Sequence, residues 1–293
     1  MTLRYTFNLG TDRFDNYVMS LFTPPNASRF TRDSVISAVR EGKLDHMLLQ
    51  SIRGLEDLPA EVCDRAAINV IDFHFESLVL RNMGAHQLAA YCKDVEKTLH
   101  MESICPIDGG APLWVSTVHH ACVFSVLAQL SIHLAKHRGR RKIIVIHQGD
   151  RPELRLNLMS KAVEHESKVR PNFLQMKGPW LRSLSKLSSP DSVIFYFADM
   201  PHAVSTSNVQ KTYRRAGIEL CAASNRSIKV ETLSGGDTFA RRLGAFHTVL
   251  EYPRPDRIRL RRYDPDNPVA LCQLEDWVFW PALTGVPEQR AIN

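Results

Sequence analysis

Residues 113–146 read LWVSTVHHACVFSVLAQLSIHLAKHRGRRKIIVI, and this stretch decides the fold class. It begins with a short apolar run at 113–118 and ends with a second at 142–146, which is rich in β-branched residues. Between them, residues 121–134 are apolar on all sides and long enough for a buried helix. A strand, a helix and a strand in this order form a βαβ unit, which predicts that the two strands pair in parallel.

Strand and helix patterns continue to alternate after this unit. The apolar run at 192–198 predicts a buried strand, and the arginine–apolar alternation at 257–263 predicts a half-buried strand near a sheet edge. The alternation predicts an α/β fold with a central sheet, mixed but largely parallel, that is flanked by helices. The other elements predicted are helices at 152–166 and 238–243 and strands at 228–233 and 246–250.

The first third of the chain is predicted to be helical. Asp33 and Ser34 are candidate caps of one helix, a stronger helical pattern follows at 62–73, and a third occupies 85–99. Residues 104–112 form a turn-rich connector. We therefore predict a single domain over residues 1–293, with a mainly helical part at 1–105 and a sheet-containing core at 106–293.

The composition excludes several classes of protein. The 293 residues are 44% hydrophobic and 23% charged, which is enough apolar material for a sizeable core. No run approaches about 18 uncharged apolar residues, so no membrane span is expected. The net charge of +6 permits an anionic ligand or surface without selecting one. Because no basic and aromatic motif accompanies this charge, nucleic-acid binding is not expected.

The cellular compartment is predicted from the start of the chain and from the cysteines. The opening residues MTLRYTFNLGTDRFDNY contain acids and no apolar h-region, so no signal peptide is predicted. The 6 cysteines are scattered and form no Cys-x-x-Cys pair, which gives no support for structural zinc. These features predict a cytoplasmic protein.

Polar residues follow three of the predicted strands at the point where each ends. His119 and His120 follow the first strand, residues 147–150 (HQGD) follow the second, and Asp199 and His202 follow the third. Because ligands of open α/β sheets bind outside the carboxyl ends of the strands, we expect the functional site at this edge.

A histidine between a strand and a helix is a candidate general base. The positive end of the helix dipole disfavours the imidazolium, so the ring stays neutral and accepts a proton. Asp199 is a candidate for orienting that ring. The residues alone leave open whether His119 or His120 is the base. They also leave open a simpler interpretation, in which the histidines pack or cap and Asp199 is a turn residue before Pro201.

Several other kinds of site lack support in the sequence. His147, Asp150 and His202 have no recognised metal-ligand spacing, so no bound metal is predicted. The sequence contains no Gly-x-Gly-x-x-Gly, no Walker A motif and no Gly-x-Ser-x-Gly, so neither a nicotinamide cofactor nor a nucleophile elbow is expected. Cys122 and Ser125 lie inside the predicted buried helix, where a nucleophile would be inaccessible.

Arginines supply candidate contacts to anions. Arg226 lies on a predicted loop and is suited to bind a phosphate or carboxylate in bidentate fashion, although a solvated side chain is the default interpretation for it. Arg241 and Arg242 fall in a short helix, and three more arginines alternate along residues 257–261. Solvated faces are the default interpretation for both groups, and an anionic lipid headgroup patch is the alternative.

The order of these elements resembles the lysophospholipid acyltransferase-like superfamily. A strand, a histidine, a long buried helix, a strand and a later strand that ends in Asp199 follow one another as in that family. Residues 234–249 (SGGDTFARRLGAFHTV) are similar to its segment in which a small-residue loop leads into a helix and a strand. The nearest branch is that of the lipid A biosynthesis (lauroyl/myristoyl) and phosphatidylinositol mannoside acyltransferases. The resemblance covers roughly residues 110–265.

The resemblance implies transfer of an acyl group from a thioester to a hydroxyl or amine acceptor, without a cofactor. The thioester donor would be carried by acyl carrier protein or coenzyme A. In this interpretation His120 is the general base, Asp199 pairs with it and orients it, and His119 is the further catalytic candidate. The candidates for substrate binding are Ser125, His202 and Arg226.

The chain departs from the family at one motif. The family has a histidine followed, after four residues, by Asp or Glu. Counting from His120 reaches Ser125, and counting from His119 reaches Phe124. Asp199 stands where some relatives carry an acidic residue on a later strand. The departure leaves a second hypothesis, a non-catalytic member of the fold that binds a lipid or a carrier-protein partner. Peripheral contact with a membrane stays open in both.

Overall fold

The structure of the chain is a computed structural model. It describes residues 4–7, 13–21, 29–45, 60–81, 83–98, 100–105, 107, 109–121, 123–147, 154–199, 215–221, 227–233, 236–254, 257–264, 272, 276–278 and 283–284.

The described chain alternates helices and strands. The helices are α1 (Arg13–Leu21), α2 (Arg29–Arg40), α3 (Ala60–Arg81), α4 (Ala85–Thr98), α5 (Val123–Arg138), α6 (Leu154–Ser167), α7 (Trp180–Leu187) and α8 (Gly236–Arg242). The strands are β1 (Arg4–Phe7), β2 (His100–Ile104), β3 (Leu113–Thr117), β4 (Lys142–His147), β5 (Asn172–Gln175), β6 (Ser192–Phe197), β7 (Arg215–Cys221), β8 (Ser227–Leu233), β9 (Phe246–Arg254), β10 (Arg257–Arg262) and β11 (Leu283–Thr284).

The described strands form two sheets. The larger has 7 strands in the order β2–β10–β9–β3–β6–β4–β5, and the smaller has 4 in the order β11–β1–β8–β7. In the larger sheet only β9 and β10 pair antiparallel, and every other pair is parallel. This confirms the predicted α/β class, with a mixed, largely parallel sheet, flanking helices and a helical N-terminal region.

The predicted pairing inside the βαβ unit is wrong in one respect. Strands β3 and β4 run parallel, but β6 lies between them and pairs with both. Every residue of β6, from Ser192 to Phe197, is buried. A strand that is apolar on both faces suits a central position covered by helices on each side, so β6 enters the sheet there.

Several local boundaries also differ from the sequence predictions. Helix α2 begins at Arg29, so Asp33 and Ser34 lie inside it and do not cap it. The first third contributes β1 and β2 as well as helices. Strand β2 covers the outer edge of β10, which is therefore second from the edge. Short strands such as β1 and β2 are stabilised by pairing with distant parts of the chain, and this pairing cannot be predicted from local sequence patterns.

The helices pack onto the sheet through one hydrophobic cluster. Its buried members run from Phe14 in α1 to Val278 near the other end of the chain. Gly236 lets the start of α8 approach the sheet closely, because a Cβ there would lie 3.2 Å from Ser116 Oγ and 3.3 Å from the Tyr196 ring. None of the helices described is long and apolar enough to cross a membrane.

Arg140 ties the turn after α5 to the strand ends at the amino edge of the sheet. Its side chain is 3% exposed, and Nη1 donates to the carbonyl oxygens of Ala111 at 2.8 Å and of Pro190. A buried guanidinium is stable in this position because it satisfies carbonyl groups that would otherwise lose their water.

We predict that Arg140→Met lowers the free energy of unfolding by about 2–3 kcal/mol, because buried carbonyls lose a charged donor. Arg138→Met is the matched control, since Arg138 is exposed two residues away, and it should change stability by less than about 0.5 kcal/mol. Chemical denaturation of both variants measures the difference. Equal effects would show that the Arg140 contacts contribute nothing specific.

Candidate active site

The site is built around a hydrogen-bonded pair of His119 and Asp199. His119 Nδ1 lies 2.8 Å from Asp199 Oδ1, and the backbone N–H of His119 donates to Asp199 Oδ2 at 2.7 Å. The Asp199 side chain is completely buried, whereas the His119 side chain is 12% exposed. The carboxylate therefore lies behind the imidazole, on the side away from solvent.

The register of the sheet brings these two residues together. Thr117 at the end of β3 pairs with Phe197 at the end of β6, and the Ala198 N–H donates to the Thr117 carbonyl at 2.7 Å. His119 and Asp199 each stand two residues beyond this pair, so they follow the strands at equal distances. Parallel strands present their carboxyl ends at one edge, where the two side chains meet.

Asp199 receives a third donor from a distant part of the chain. The indole Nε1–H of Trp277 donates to Asp199 Oδ2 at 2.7 Å, and both side chains are fully buried. Three N–H groups thus satisfy the two carboxylate oxygens, which offsets the cost of burying the charge. Since an ionised carboxylate only accepts, His119 carries its hydrogen on Nδ1 and its lone pair on Nε2.

Aromatic rings enclose the imidazole of His119. Phe197 stacks on it with ring centroids 4.3 Å apart. Phe73 of α3 and Phe124 of α5 approach it edge-on, each at 6.3 Å. These three phenylalanines are themselves buried, so they keep water away from most of the ring and hold it in one orientation.

The segment 276–278 fastens the site to α3. The Val278 N–H donates to the His119 carbonyl at 3.2 Å, next to the contact that Trp277 makes with Asp199. Asp276 Oδ1 accepts a hydrogen bond from Asn69 Nδ2 of α3 at 3.1 Å. Burial raises the pKa of Asp276 to about 6, although Arg65 and Asn69 oppose the shift. Three consecutive residues therefore contact α3, the carboxylate and the histidine backbone.

The predicted pairing of His120 with Asp199 is wrong, because His119 makes that contact. His120 is 2% exposed, and its ring stacks on Tyr252 with centroids 4.5 Å apart. Side chains alternate in direction along an extended chain, so consecutive histidines cannot both face Asp199. Burial lowers the pKa of His120 to about 4.

Ser125 lies away from the histidine–aspartate pair and contacts a carboxyl group of its own. Its hydroxyl donates to Glu76 Oε1 of α3 at 2.6 Å, and both residues are buried. Burial raises the pKa of Glu76 to about 7, against the opposing effects of Ser125 and Arg155. Phe124 follows the paired histidine after four intervening residues, and its ring packs on His119.

The structure describes only some of the remaining predicted site residues. Asp150, His202, Arg226 and Cys122 lie outside the described residues. His147 is buried at the end of β4. Within the described part of the chain, no group of three or more His, Cys, Asp or Glu side chains is arranged to hold a metal ion.

The arginine groups make ordinary surface contacts. Arg241 pairs with Asp237 one helical turn away at 2.6 Å, and Arg261 lies 3.5 Å from Glu251. The Arg262 guanidinium lies over the Phe246 ring, 5.4 Å from its centroid. These partners support the solvated-face interpretation.

A separate group of a serine, a histidine and an aspartate lies next to the start of α8. Ser116 Oγ is 2.9 Å from His247 Nε2, and His247 Nδ1 is 3.7 Å from Asp237 Oδ1. Ser116 lies inside β3, is 5% exposed and accepts a hydrogen bond from the Trp114 indole at 3.2 Å. Because Gly236 also covers the serine, the group connects α8 to the sheet and does not present a nucleophile.

Sequence reasoning missed the residues that contact the pair from elsewhere in the chain. Trp277 lies 78 positions from Asp199, and Glu76 lies 49 positions from Ser125. One sequence signal was available for the pair itself. His119 follows Thr117 by two residues, and Asp199 follows Phe197 by the same number. Equal spacing on two neighbouring parallel strands would have selected His119, had the pairing of β3 with β6 been known.

No protein-family model matches the chain, and no curated protein matches it either.

We predict that His120 and His247 each lower the free energy of unfolding as the pH falls from 6.5 towards 4, while the raised pKa values of Glu76 and Asp276 act in the opposite direction. Burial lowers the pKa of both His120 and His247 to about 4 in the folded chain, against about 6.5 when unfolded. The stabilising contribution is complete above pH 6.5 and is lost as the pH falls through the folded value. Each histidine accounts for on the order of 3 kcal/mol.

Denaturant unfolding of the wild type and His247→Gln across this pH range checks the prediction. The variant should gain stability relative to the wild type progressively as the pH falls from 6.5 towards 4, because glutamine does not titrate. His137→Gln, at an exposed histidine in the last turn of α5, should leave the slope unchanged. A wild-type slope retained in His247→Gln would rule out the contribution of this histidine.

Proposed function

We propose that this protein is an acyltransferase that moves an acyl group from a thioester to a hydroxyl or amine acceptor. The observation that carries the proposal is the hydrogen-bonded pair of His119 and buried Asp199 at the carboxyl edge of a largely parallel sheet. A neutral imidazole oriented by a carboxylate is suited to take a proton from an attacking nucleophile. The donor in this proposal is a thioester of acyl carrier protein or coenzyme A.

The reaction follows from the roles of the two nitrogens of His119. Nε2 removes the acceptor's proton as the acceptor oxygen or nitrogen attacks the thioester carbonyl. The resulting imidazolium is stabilised by Asp199, whose Oδ1 accepts from Nδ1–H at 2.8 Å. The tetrahedral intermediate then collapses, the carbon–sulfur bond breaks, and Nε2 returns the proton to the leaving thiolate. The acceptor is acylated and the enzyme is restored.

The aromatic enclosure supports group transfer over hydrolysis. Phe73, Phe124 and Phe197 surround His119 and are buried. A site from which water is largely excluded favours the bound acceptor as the nucleophile. The same exclusion strengthens the electrostatic interaction between Asp199 and the imidazolium.

The family resemblance supports the choice of thioester chemistry. It rests on residues 110–265, which include the paired histidine and aspartate and the segment 234–249. The proposal extends to a cytoplasmic location, which the scattered cysteines favour, and to peripheral contact with a membrane where the acceptor is a lipid.

A non-catalytic, ligand-binding member of the same fold is the second candidate function. Phe124 favours it, because an aromatic ring occupies the position at which the resembled family carries an acidic residue after its histidine. A protein of this kind would bind a lipid or an acyl carrier protein without turning it over.

We predict that His119→Ala lowers kcat by about 10²–10⁴-fold, the usual contribution of a general base. Asp199→Asn should also lower kcat, because an amide does not stabilise the imidazolium. The effects should not add in the double variant, since the two residues act as a unit. The assay is thiol release, with product mass measured over a panel of acyl thioesters and acceptors.

His120→Gln is the matched control, because it alters the neighbouring histidine, which does not contact Asp199. Its kcat should stay within about threefold of the wild type. Full activity in His119→Ala would end the catalytic proposal. Binding of acyl thioesters without turnover in the wild type would favour the second candidate.

We predict that Trp277→Phe, which keeps an aromatic ring at this position, lowers kcat by about tenfold. The variant removes the Nε1–H donor, which lies 2.7 Å from Asp199 Oδ2, together with part of the buried ring volume. Loss of a donor to a buried carboxylate costs about 1.5–3 kcal/mol, so thermal stability should fall as well. Steady-state kinetics and thermal unfolding check the two effects, and an unchanged kcat would show that the indole does not orient Asp199.

A further inference from the structure

Four helices meet at a buried polar cluster centred on Glu76. Glu76 of α3 accepts from Ser125 Oγ of α5 at 2.6 Å and faces Tyr91 of α4, whose hydroxyl lies 3.4 Å from the same oxygen. The guanidinium of Arg155, on α6, interacts favourably with the Glu76 charge. Glu76 itself is 4% exposed. The Glu76 carboxyl group therefore contacts polar side chains of α4 and α5, and it interacts through its charge with Arg155 of α6.

Arg155 connects this cluster to the rings around His119. Its guanidinium lies 3.5 Å from the centroid of Phe73 and 4.9 Å from that of Phe124. Its Nη1 also donates to the Phe73 carbonyl at 3.1 Å. A guanidinium stacked on two rings fixes their planes, because the cation–π attraction depends on the geometry. These are the two rings that approach His119 edge-on.

Ser125 gives a second connection to the same rings. It directly follows Phe124 in the first turn of α5, so its bond to Glu76 fixes the part of α5 that carries the ring. Phe73 and Glu76 lie three residues apart on α3 and thus on one face of that helix. The carboxyl group is therefore linked to the Phe124 ring through Ser125, and its charge acts on Arg155, whose guanidinium lies over both rings.

We propose that Glu76 is a positioning residue of the site, which binds Ser125 and attracts Arg155 through its charge and thereby fixes the Phe73 and Phe124 rings against His119. This inference rests on the proposed function, since it assigns Glu76 a part in the same reaction. Removing the charge should leave His119 hydrogen-bonded to Asp199 but less uniformly oriented. Chemistry would then slow, while substrate binding would be little affected.

The ionisation of Glu76 depends on burial and on the groups around it. Burial raises its pKa to about 7, and nearby Asp72 raises it further, whereas Ser125, Arg155 and Tyr91 lower it. The buried Cys92 thiol of α4 also senses the Glu76 charge, and burial raises the pKa of that thiol to about 12. The experiments on Glu76 are therefore carried out at pH 8.5, where Glu76 is ionised and Cys92 remains protonated.

Glu76→Gln is the decisive variant. Glutamine keeps an acceptor oxygen for Ser125 and nearly the same volume, but it removes the charge that faces Arg155. Glu166→Gln is the matched control, because Glu166 of α6 also ties helices together through charge, at 3.2 Å from Lys93 of α4 and 2.9 Å from Lys136 of α5. Neither of those lysines contacts the rings around His119 in the described structure.

Two readouts at pH 8.5 test the proposal. In Glu76→Gln, kcat should fall about tenfold with KM unchanged within about twofold, and the imidazole nitrogen signals of His119 should shift and broaden. These NMR signals are assigned by their loss in His119→Ala. In Glu166→Gln both readouts should match the wild type. Ser125→Ala, which keeps the charge but removes one bond, should shift the His119 signals in the same direction by a smaller amount.

The two proposals fail in different ways. If the wild type transfers no acyl group, the proposed function fails, and the NMR comparison still decides whether Glu76 positions His119. If Glu76→Gln or, where that variant does not fold, Ser125→Ala leaves the His119 signals unchanged, the positioning role of Glu76 is overturned. A loss of thermal stability alone would assign Glu76 a purely structural role.

Discussion

The pairing register of β3 with β6 is the constraint on which the site depends. It sets Thr117 opposite Phe197, so that His119 and Asp199 each lie two residues beyond the last pair of the register. His119 and Asp199 are therefore fixed by backbone hydrogen bonds before any side chain contributes. A slip of one residue would turn His119 away from Asp199, as His120 is turned in this structure. Burial of β6 on both faces makes such a slip costly.

Helix α3 supports this edge through one face. Asn69, Phe73 and Glu76 are spaced by four and three residues, which places them in line along the helix. Asn69 holds Asp276, Phe73 contacts His119, and Glu76 binds Ser125. A single rigid element therefore orients the segment behind the carboxylate, a ring beside the imidazole and the buried cluster behind that ring.

The sequence predicts local elements and the general place of the site well, because both depend on short-range patterns. The strand, helix and strand of 113–146 are present, and the polar residues after β3 and β6 meet at one edge as expected. The insertion of β6 between β3 and β4 depends on long-range pairing, which periodicity does not encode. The choice of His119 over His120 follows from that pairing, and so it could not be made beforehand.

The assembly of Asp199's hydrogen bonds has a consequence for synthesis. Its third donor, Trp277, follows it by 78 residues. At about 5–20 residues per second, a ribosome needs roughly 4–16 s to add that length of chain. During this interval a nascent chain holds His119 and Asp199 but lacks the indole that completes the buried carboxylate's partners. A partly made chain thus exists for seconds in which Asp199 has at most two of its three donors, so its hydrogen bonds are complete only after Trp277 is added.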